Sequence, residues 1–241
     1  MSALVLLAWW QSRLETPDEC ALRLAEMLRR LAVVHPIFGR WRRQAGSKGA
    51  AQRPFCSMPP DIRELGEIIA KTGQRHVTGR AVPELGYRFS AWNELDRDHG
   101  LSFSCCPGRS DAKLFDVNSI EFSFGNPTPK NSDLLSYSVL NEVLTAVAQS
   151  WDVGWGTIEP WANDLRFRDA KGDLLRPWPG WLTYLSSAFV NKITPPSGVT
   201  VQRLSNGGVL MAVTKDQFDP SNPSQVAIYN AIQDSLRPLQ T

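Results

Sequence analysis

Histidine is scarce in this chain. Three occur in 241 residues, at His35, His76 and His99, and histidine is the side chain most often used as a general base or metal ligand near neutral pH. Cysteine is scarce too, with Cys20, Cys56, Cys105 and Cys106 as the whole set. No two of them form Cys-x-x-Cys, and no histidine lies at zinc spacing from any, which removes zinc-ribbon and redox-motif classes. Four reduced, mostly buried thiols are the expectation. Long apolar runs are missing: Ala3 to Trp10 covers eight residues, too few to cross a bilayer. That run also lacks the basic flank and small-residue cleavage site of a secretory signal. It reads as a buried strand, and the cytoplasm is the default address. A charge excess of one sign is missing as well. A net charge of +2 recommends neither nucleic acid nor an anionic membrane as a partner. No Walker or Rossmann glycine pattern occurs. Gly154-Trp155-Gly156 lacks both a third glycine and the helix that phosphate binding needs.

Tryptophan, by contrast, is abundant. Five of the nine lie between Trp151 and Trp181, in Trp151-Asp-Val-Gly-Trp155-Gly-Thr-Ile-Glu159-Pro-Trp161 and Pro177-Trp178-Pro-Gly180-Trp181-Leu-Thr183-Tyr184-Leu185. Indole is large and amphipathic, and its N–H needs a partner when buried. A cluster this dense is either a local core or a binding surface, and it supplies no acid–base or nucleophilic chemistry.

Hydrophobic patterning predicts an α+β fold, a mostly antiparallel sheet packed with about four helices. The strand Ala3–Trp10 is apolar on both faces, which suits a central position. Thr16-Pro17-Asp18-Glu19 is a capping box with proline at the first helical position. The helix that follows carries Leu24, Leu28 and Leu31 on one stripe, with Glu19–Arg23 and Glu26–Arg30 as i,i+4 pairs. A short strand is expected over Ile37–Arg42 and a loop over Arg43–Pro60. Asp61 caps a second helix that stops near Gly73. Strands are expected over Gly86–Asn93, Leu101–Cys106 and Val117–Phe124, the last with Ile120, Phe122 and Phe124 on one face. A long helix should run from Ser132 to Gln149, followed by strands at Val153–Ile158 and Trp181–Leu185. Ser205-Asn206-Gly207-Gly208 between Val199–Leu204 and Val209–Val213 is a hairpin signal. Asn222-Pro223 opens a final helix that ends near Leu236. Residues 1–241 read as a single domain, with a lobe division near residue 127.

The chemistry-bearing residues form no complete constellation. His35 precedes a proline at a helix end. His99 sits in Asp96-Arg97-Asp98-His99-Gly100, where aspartate beside histidine makes either a solvated turn or an acid–base or metal site. Cys105-Cys106-Pro107-Gly108-Arg109 would present a thiol on a loop, without any cysteine-protease signature. Arg40-Trp41-Arg42-Arg43, with Lys48 and Arg53 beyond, mixes cations with an aromatic as single-strand binders do. The near-neutral total favours a solvated loop there. Glu159 and Asp164 bracket Trp161, and acidic with aromatic side chains make good protein-recognition surfaces.

The C-terminal half resembles the immunity protein 52 family of bacterial polymorphic-toxin systems. The resemblance rests on Trp151–Trp161 and on Gly180-Trp181-Leu182-Thr183-Tyr184-Leu185, within a similar order of elements. It implies a cytoplasmic α+β protein that neutralises a cognate toxin, often a restriction-endonuclease-like nuclease delivered between cells, in some cases by a type VI secretion system. It implies stoichiometric, non-catalytic inhibition, with no cofactor, no metal, no direct nucleic-acid contact and no membrane. Antidotes to nucleases are often acidic, whereas this chain is slightly basic. A local acidic patch is therefore expected, from Glu94, Asp96 and Asp98 at one turn and Asp152, Glu159 and Asp164 in the tryptophan segment, or else binding away from the nuclease active site. The toxin-binding anchors expected are Trp155, Glu159, Trp161 and Asp164, with Glu94, Asp96 and Asp98 as a second group. The alternatives are a hydrolase using His99 with Asp96 or Asp98, and a nucleic-acid-associated adaptor using Arg40–Arg43. Replacing His35, His76 and His99 one at a time should leave protection intact in variants that fold. Loss of protection by a folded His99 variant that still binds its partner would argue for chemistry instead.

Overall fold

A computed structural model of the chain describes residues 3–44, 52–76, 78–93, 100–110, 118–126, 128, 131–160 and 176–239. Its centre is β1 (Leu4–Trp10), buried at every position. On one side β1 pairs with β5 (Asn118–Ser123), and on the other with β6 (Trp155–Pro160). The sheet grows outward through β4 (Ser102–Cys106), β3 (Phe89–Trp92) and β2 (Arg42–Arg43) on the β5 side. On the β6 side it grows through β7 (Leu182–Leu185), β9 (Val209–Ala212) and β8 (Thr200–Arg203). The order is β2-β3-β4-β5-β1-β6-β7-β9-β8, with every pairing antiparallel. One continuous nine-stranded sheet therefore draws strands from both sides of residue 127.

Successive strand residues point to opposite faces, and Trp9 and Trp10 show what each face meets. Trp10 stacks on Trp151, ring centroids 5.1 Å apart, at the end of α3 (Tyr137–Trp151). That is the helix side, where α1 (Pro17–Val34) packs on α3 and on α2 (Ile62–Ala70). Leu140, Val143, Leu144 and Val147 of α3 are fully buried. Gly156 of β6 lets α3 approach: a Cβ there would stand 3.0 Å from the Ala8 Cβ and 3.3 Å from Leu144 Cδ1. Trp9 lies on the other face. It stacks on Trp155 at 4.1 Å and meets the edge of Trp178 at 4.9 Å. The segment carrying Trp178 is tied in turn to α5 (Pro223–Leu236), whose Tyr229 hydroxyl donates to Pro179 O at 3.2 Å.

Caps fall where the sequence places them. Thr16 and Glu19 form the reciprocal box of α1. Asp61 Oδ1 accepts the Glu64 amide and Asn222 accepts those of Ser224 and Gln225. Three expectations need correction. Ile37–Arg42 is no strand: the His35 imidazole accepts the Ile37 amide, a 3-10 turn spans Pro36–Gly39, and β2 begins only at Arg42. The helix expected from Ser132 starts at Tyr137, because Ser136 is its cap and accepts the Val139 amide. The Glu19–Arg23 pair is replaced. The Glu19 carboxylate is taken by Thr16, and Arg23 reaches Glu15 and Asp152 instead.

Trp181 and Tyr184 are each about 1% exposed. Trp181 donates to Thr214 O at 2.9 Å, and the Tyr184 hydroxyl accepts from Asn206 at the β8–β9 turn. Trp181→Ala should destabilise the fold by about 3–5 kcal/mol, the range for deleting a fully buried large aromatic. A chemical-denaturation midpoint unchanged by this substitution would contradict the packing described.

Candidate partner-binding surface

Most of the tryptophan cluster is core. Trp151 is fully buried and its indole N–H points at Met27 Sδ, 3.3 Å away. Trp9, Trp155 and Trp178 form a triad, with Trp178 edge-on to Trp155 at 4.4 Å. The Trp178 Nε1 donates to Glu159 Oε1 at 3.0 Å. Trp155 and Glu159, expected as toxin-binding anchors, are 2% and 0% exposed. In the free chain neither is presented to a partner. They build the wall behind β1. Trp161 and Asp164, with Glu94, Asp96, Asp98 and His99, lie outside the described residues. The strands they continue do leave at one end of the sheet. Trp92 ends β3 and pairs with Ser102, Ser102 with Ser123, Ser123 with Val5, and Val5 with Glu159.

Asp152 is engaged in an ion-pair network and offers no isolated negative charge. It caps α3 in the left-handed region at φ 50° and meets Arg23 at 2.7 Å and Arg13 at 3.5 Å. Both arginines also hold the buried Glu15 carboxylate, at 2.8 and 2.9 Å. Arg13 and Arg23 further donate to Trp151 O and Ser150 O at the end of α3.

The nucleophile and base candidates are placed as structure. None of the four cysteines is in a disulfide. Cys105 is buried and burial pushes its thiol up, the opposite of what an activated nucleophile needs. Burial, with the Glu64 charge adding, pushes Cys56 up to about 12. His35 caps the 3-10 turn and its Nε2 lies 3.2 Å from Asp133. That contact is the main cause of the lowered Asp133 pKa. His76 meets Thr78 within its own turn. Trp41, the aromatic of the basic run, is 3% exposed and packs edge-on against Phe103, so it offers no face for a base to stack on. Among the described residues, no three histidine, cysteine or acidic side chains are grouped to hold a metal. None of the helices there is long and apolar enough to cross a membrane.

What sequence reasoning did not single out is the outer face of β3, β4 and β5. The inward residues Phe89, Ala91, Phe103, Cys105, Ile120 and Phe122 are buried. The alternate positions are only partly covered and are mostly serines, with Trp92 and Glu121 as the large side chains. Ser90 pairs with Ser104 and Ser104 with Glu121, while Trp92 pairs with Ser102 and Ser102 with Ser123. A shallow concavity of about 320 Å³ sits on this face, bordered also by Arg88 and Gln44. Trp92 is the one described tryptophan that is not buried. Its indole N–H is used, donating to Arg43 O at 3.0 Å, so the ring is held in place. The signal was available in Phe89-Ser90-Ala91-Trp92, whose alternation puts Trp92 on the face opposite Phe89.

This is an α+β protein whose described surface includes a shallow concavity on the β3–β5 face. The sequence model of the family described as Immunity protein 52 matches residues 5–239, and the chain belongs to that family. No curated protein matches it. A solved structure described as "Pseudomonas aeruginosa T6SS protein PA0821" is similar in fold, with a TM-score of 0.56 and 16% identity over 98% of this chain and 73% of that one. In the native protein a thiol-alkylating reagent should label Cys106, which is partly exposed, well before the buried Cys20, Cys56 and Cys105. Peptide mass spectrometry showing rapid labelling of Cys105 without denaturant would overturn its placement in the core.

Proposed function

We propose that this chain is an immunity protein that neutralises a cognate antibacterial toxin by stoichiometric, non-catalytic binding, in the cytoplasm. The toxin we infer is a restriction-endonuclease-like DNase of a polymorphic-toxin system, delivered by type VI secretion. Membership of the family supports the immunity role. The observation that carries the binding reading is the open β3–β4–β5 face around Trp92. A sheet face that needed only to be soluble is well served by long charged side chains. Here Ser90, Ser102, Ser104 and Ser123 surround a fixed indole, with Glu121 as the charged side chain among them and Arg88 at the border. Long charged side chains lose rotamer freedom on docking, and interfaces are enriched in tryptophan and depleted in Lys, Glu and Asp.

Area shows that this face does not act alone. Three strands at a spacing of about 4.8 Å, each about 17 Å long, present roughly 250 Å². A stable complex needs on the order of 800 Å² from each partner. Flanking elements must contribute the rest. Glu94, Asp96 and Asp98 follow β3 in the sequence, and Trp161 and Asp164 follow β6. These acids remain our proposed contacts to the basic cleft of a DNA-cutting enzyme. Glu159 supports the C-terminal end of β6 from within, paired with Val5, while Trp155 lies at the opposite end of that strand, paired with Trp9.

Co-expression and pull-down with the toxin encoded by the neighbouring gene test the proposal. A stable 1:1 complex and protection of a sensitive host are expected. Ser104→Arg, in the middle of the face, should weaken the complex at least tenfold, about 1.4 kcal/mol, with an unchanged melting temperature. Absence of any complex, with the host still sensitive, would sink the immunity reading. Full affinity of Ser104→Arg would sink only the choice of face.

A further inference from the structure

Beside the open face, at the β2 edge of the sheet, the chain forms a groove of about 700 Å³. Its walls come from two segments, 39–43 and 53–58 with Phe55 turned into the core, and from Glu64. The two segments are joined by backbone hydrogen bonds, Arg43 N to Arg53 O at 3.1 Å and Phe55 N to Trp41 O at 2.8 Å. The edge of β2 is therefore already occupied, and the groove is a side-chain site rather than a place to add a strand. Arg40, Arg42, Arg43 and Arg53 line it, against the single carboxylate of Glu64. That carboxylate accepts the Ser57 amide at 2.9 Å. Arg40 and Arg53 are exposed, and among the described residues no carboxylate pairs with either. Arg43 donates through Nε to Pro54 O at 3.2 Å, which uses one of a guanidinium's five donors. Met58, 36% exposed, supplies an apolar wall.

We propose that this groove receives an acidic segment of the cognate toxin, with two or more carboxylates on the arginines and an apolar side chain against Met58. The inference rests on the immunity reading and specifies its chemistry. Guanidinium groups bind carboxylates in bidentate pairs, and a thioether adapts to varied apolar partners. A protein segment suits the groove better than a nucleic acid does. A nucleic-acid strand needs a continuous basic track and aromatic faces for its bases, whereas this groove is compact, stops at Glu64 and buries its only tryptophan, Trp41. The groove also adjoins the proposed face directly, because Arg42 pairs with Trp92 across β2 and β3. It can supply part of the area that the serine face lacks.

The test is the affinity of Arg40→Glu/Arg53→Glu for the purified product of the adjacent toxin gene, measured at low and physiological salt beside the parent chain. Both side chains are exposed, so the melting temperature should stay at the parent value. The variant should bind at least tenfold more weakly, with slower association at low salt and a flatter salt dependence. Arg40→Lys/Arg53→Lys should fall between the two, because charge is kept and the planar fork is lost. Parent-like affinity and salt dependence in the charge-reversed variant would overturn the groove and leave the immunity reading standing. A parent chain that does not bind the toxin would overturn both. Salt-sensitive binding of a fluorescent oligothymidylate by the parent, lost in the variant, would overturn the proposal in favour of nucleic acid.

Discussion

A central strand buried on both faces imposes the main constraint on this fold. All seven residues of β1 are buried, so each face needs its own cover, and the two covers come from distant parts of the sequence. Trp10 obtains its cover from Trp151 and the helices, and Trp9 from Trp155 and Trp178. The second cover lies to one side. Both faces of β1, β6, β7 and β9 are buried, and the outer face of β3 to β5 is left only partly shielded. That exposed area is therefore a consequence of how the core is completed. Its serines keep it compatible with water and also with a partner.

The helix layer is held against the sheet by charge as well as by packing. Glu15, only 6% exposed, sits between two arginines that reach across to Asp152 and to the last carbonyls of α3. Cations at a helix C-terminus complement its dipole. A buried carboxylate with two guanidinium partners is tolerable where an unpaired one would cost several kcal/mol. This network fixes where α3 ends, and so fixes Trp151 over Trp10.

Much of this was legible in the sequence, for identifiable reasons. The double-sided apolar run of β1, the capping box at Thr16, the N-cap at Asn222 and the Asn206-Gly207 hairpin are local signals with local causes. The family resemblance read from Trp151–Trp161 and Gly180–Leu185 agrees with a family match over nearly the whole chain. The misses came where a side chain made a choice that spacing does not encode. Imidazole capping at His35 turned a predicted strand into a 3-10 turn. Arg23 had a neighbour at i−4 but took partners 8 and 129 residues away. Tryptophan density attracted attention to Trp155 and Glu159, yet density marks cores and surfaces alike. Trp92, the tryptophan we propose for recognition, is isolated from that cluster, and only the register of β3 on β4 shows that its cross-strand neighbour is a serine.

The charge balance also takes on meaning once positions are known. A net charge of +2 argued against a chain that imitates nucleic acid over its whole surface. It does not argue against recognition by charge, because a near-neutral total is compatible with segregated signs. Asp152 and Glu15 are neutralised internally by Arg13 and Arg23. Arg40 and Arg53 have no such partner among the described residues and stand at the rim of a concavity. Like charges held around a groove repel one another, and the repulsion is relieved when carboxylates enter. The acids of 94–98 follow β3 in the sequence, and Asp164 follows β6. A partner that matched both would have to present basic and acidic regions in a fixed arrangement. Matching two signs at two places discriminates between toxins more sharply than one acidic face could, since a wrong partner meets like charge in at least one of them.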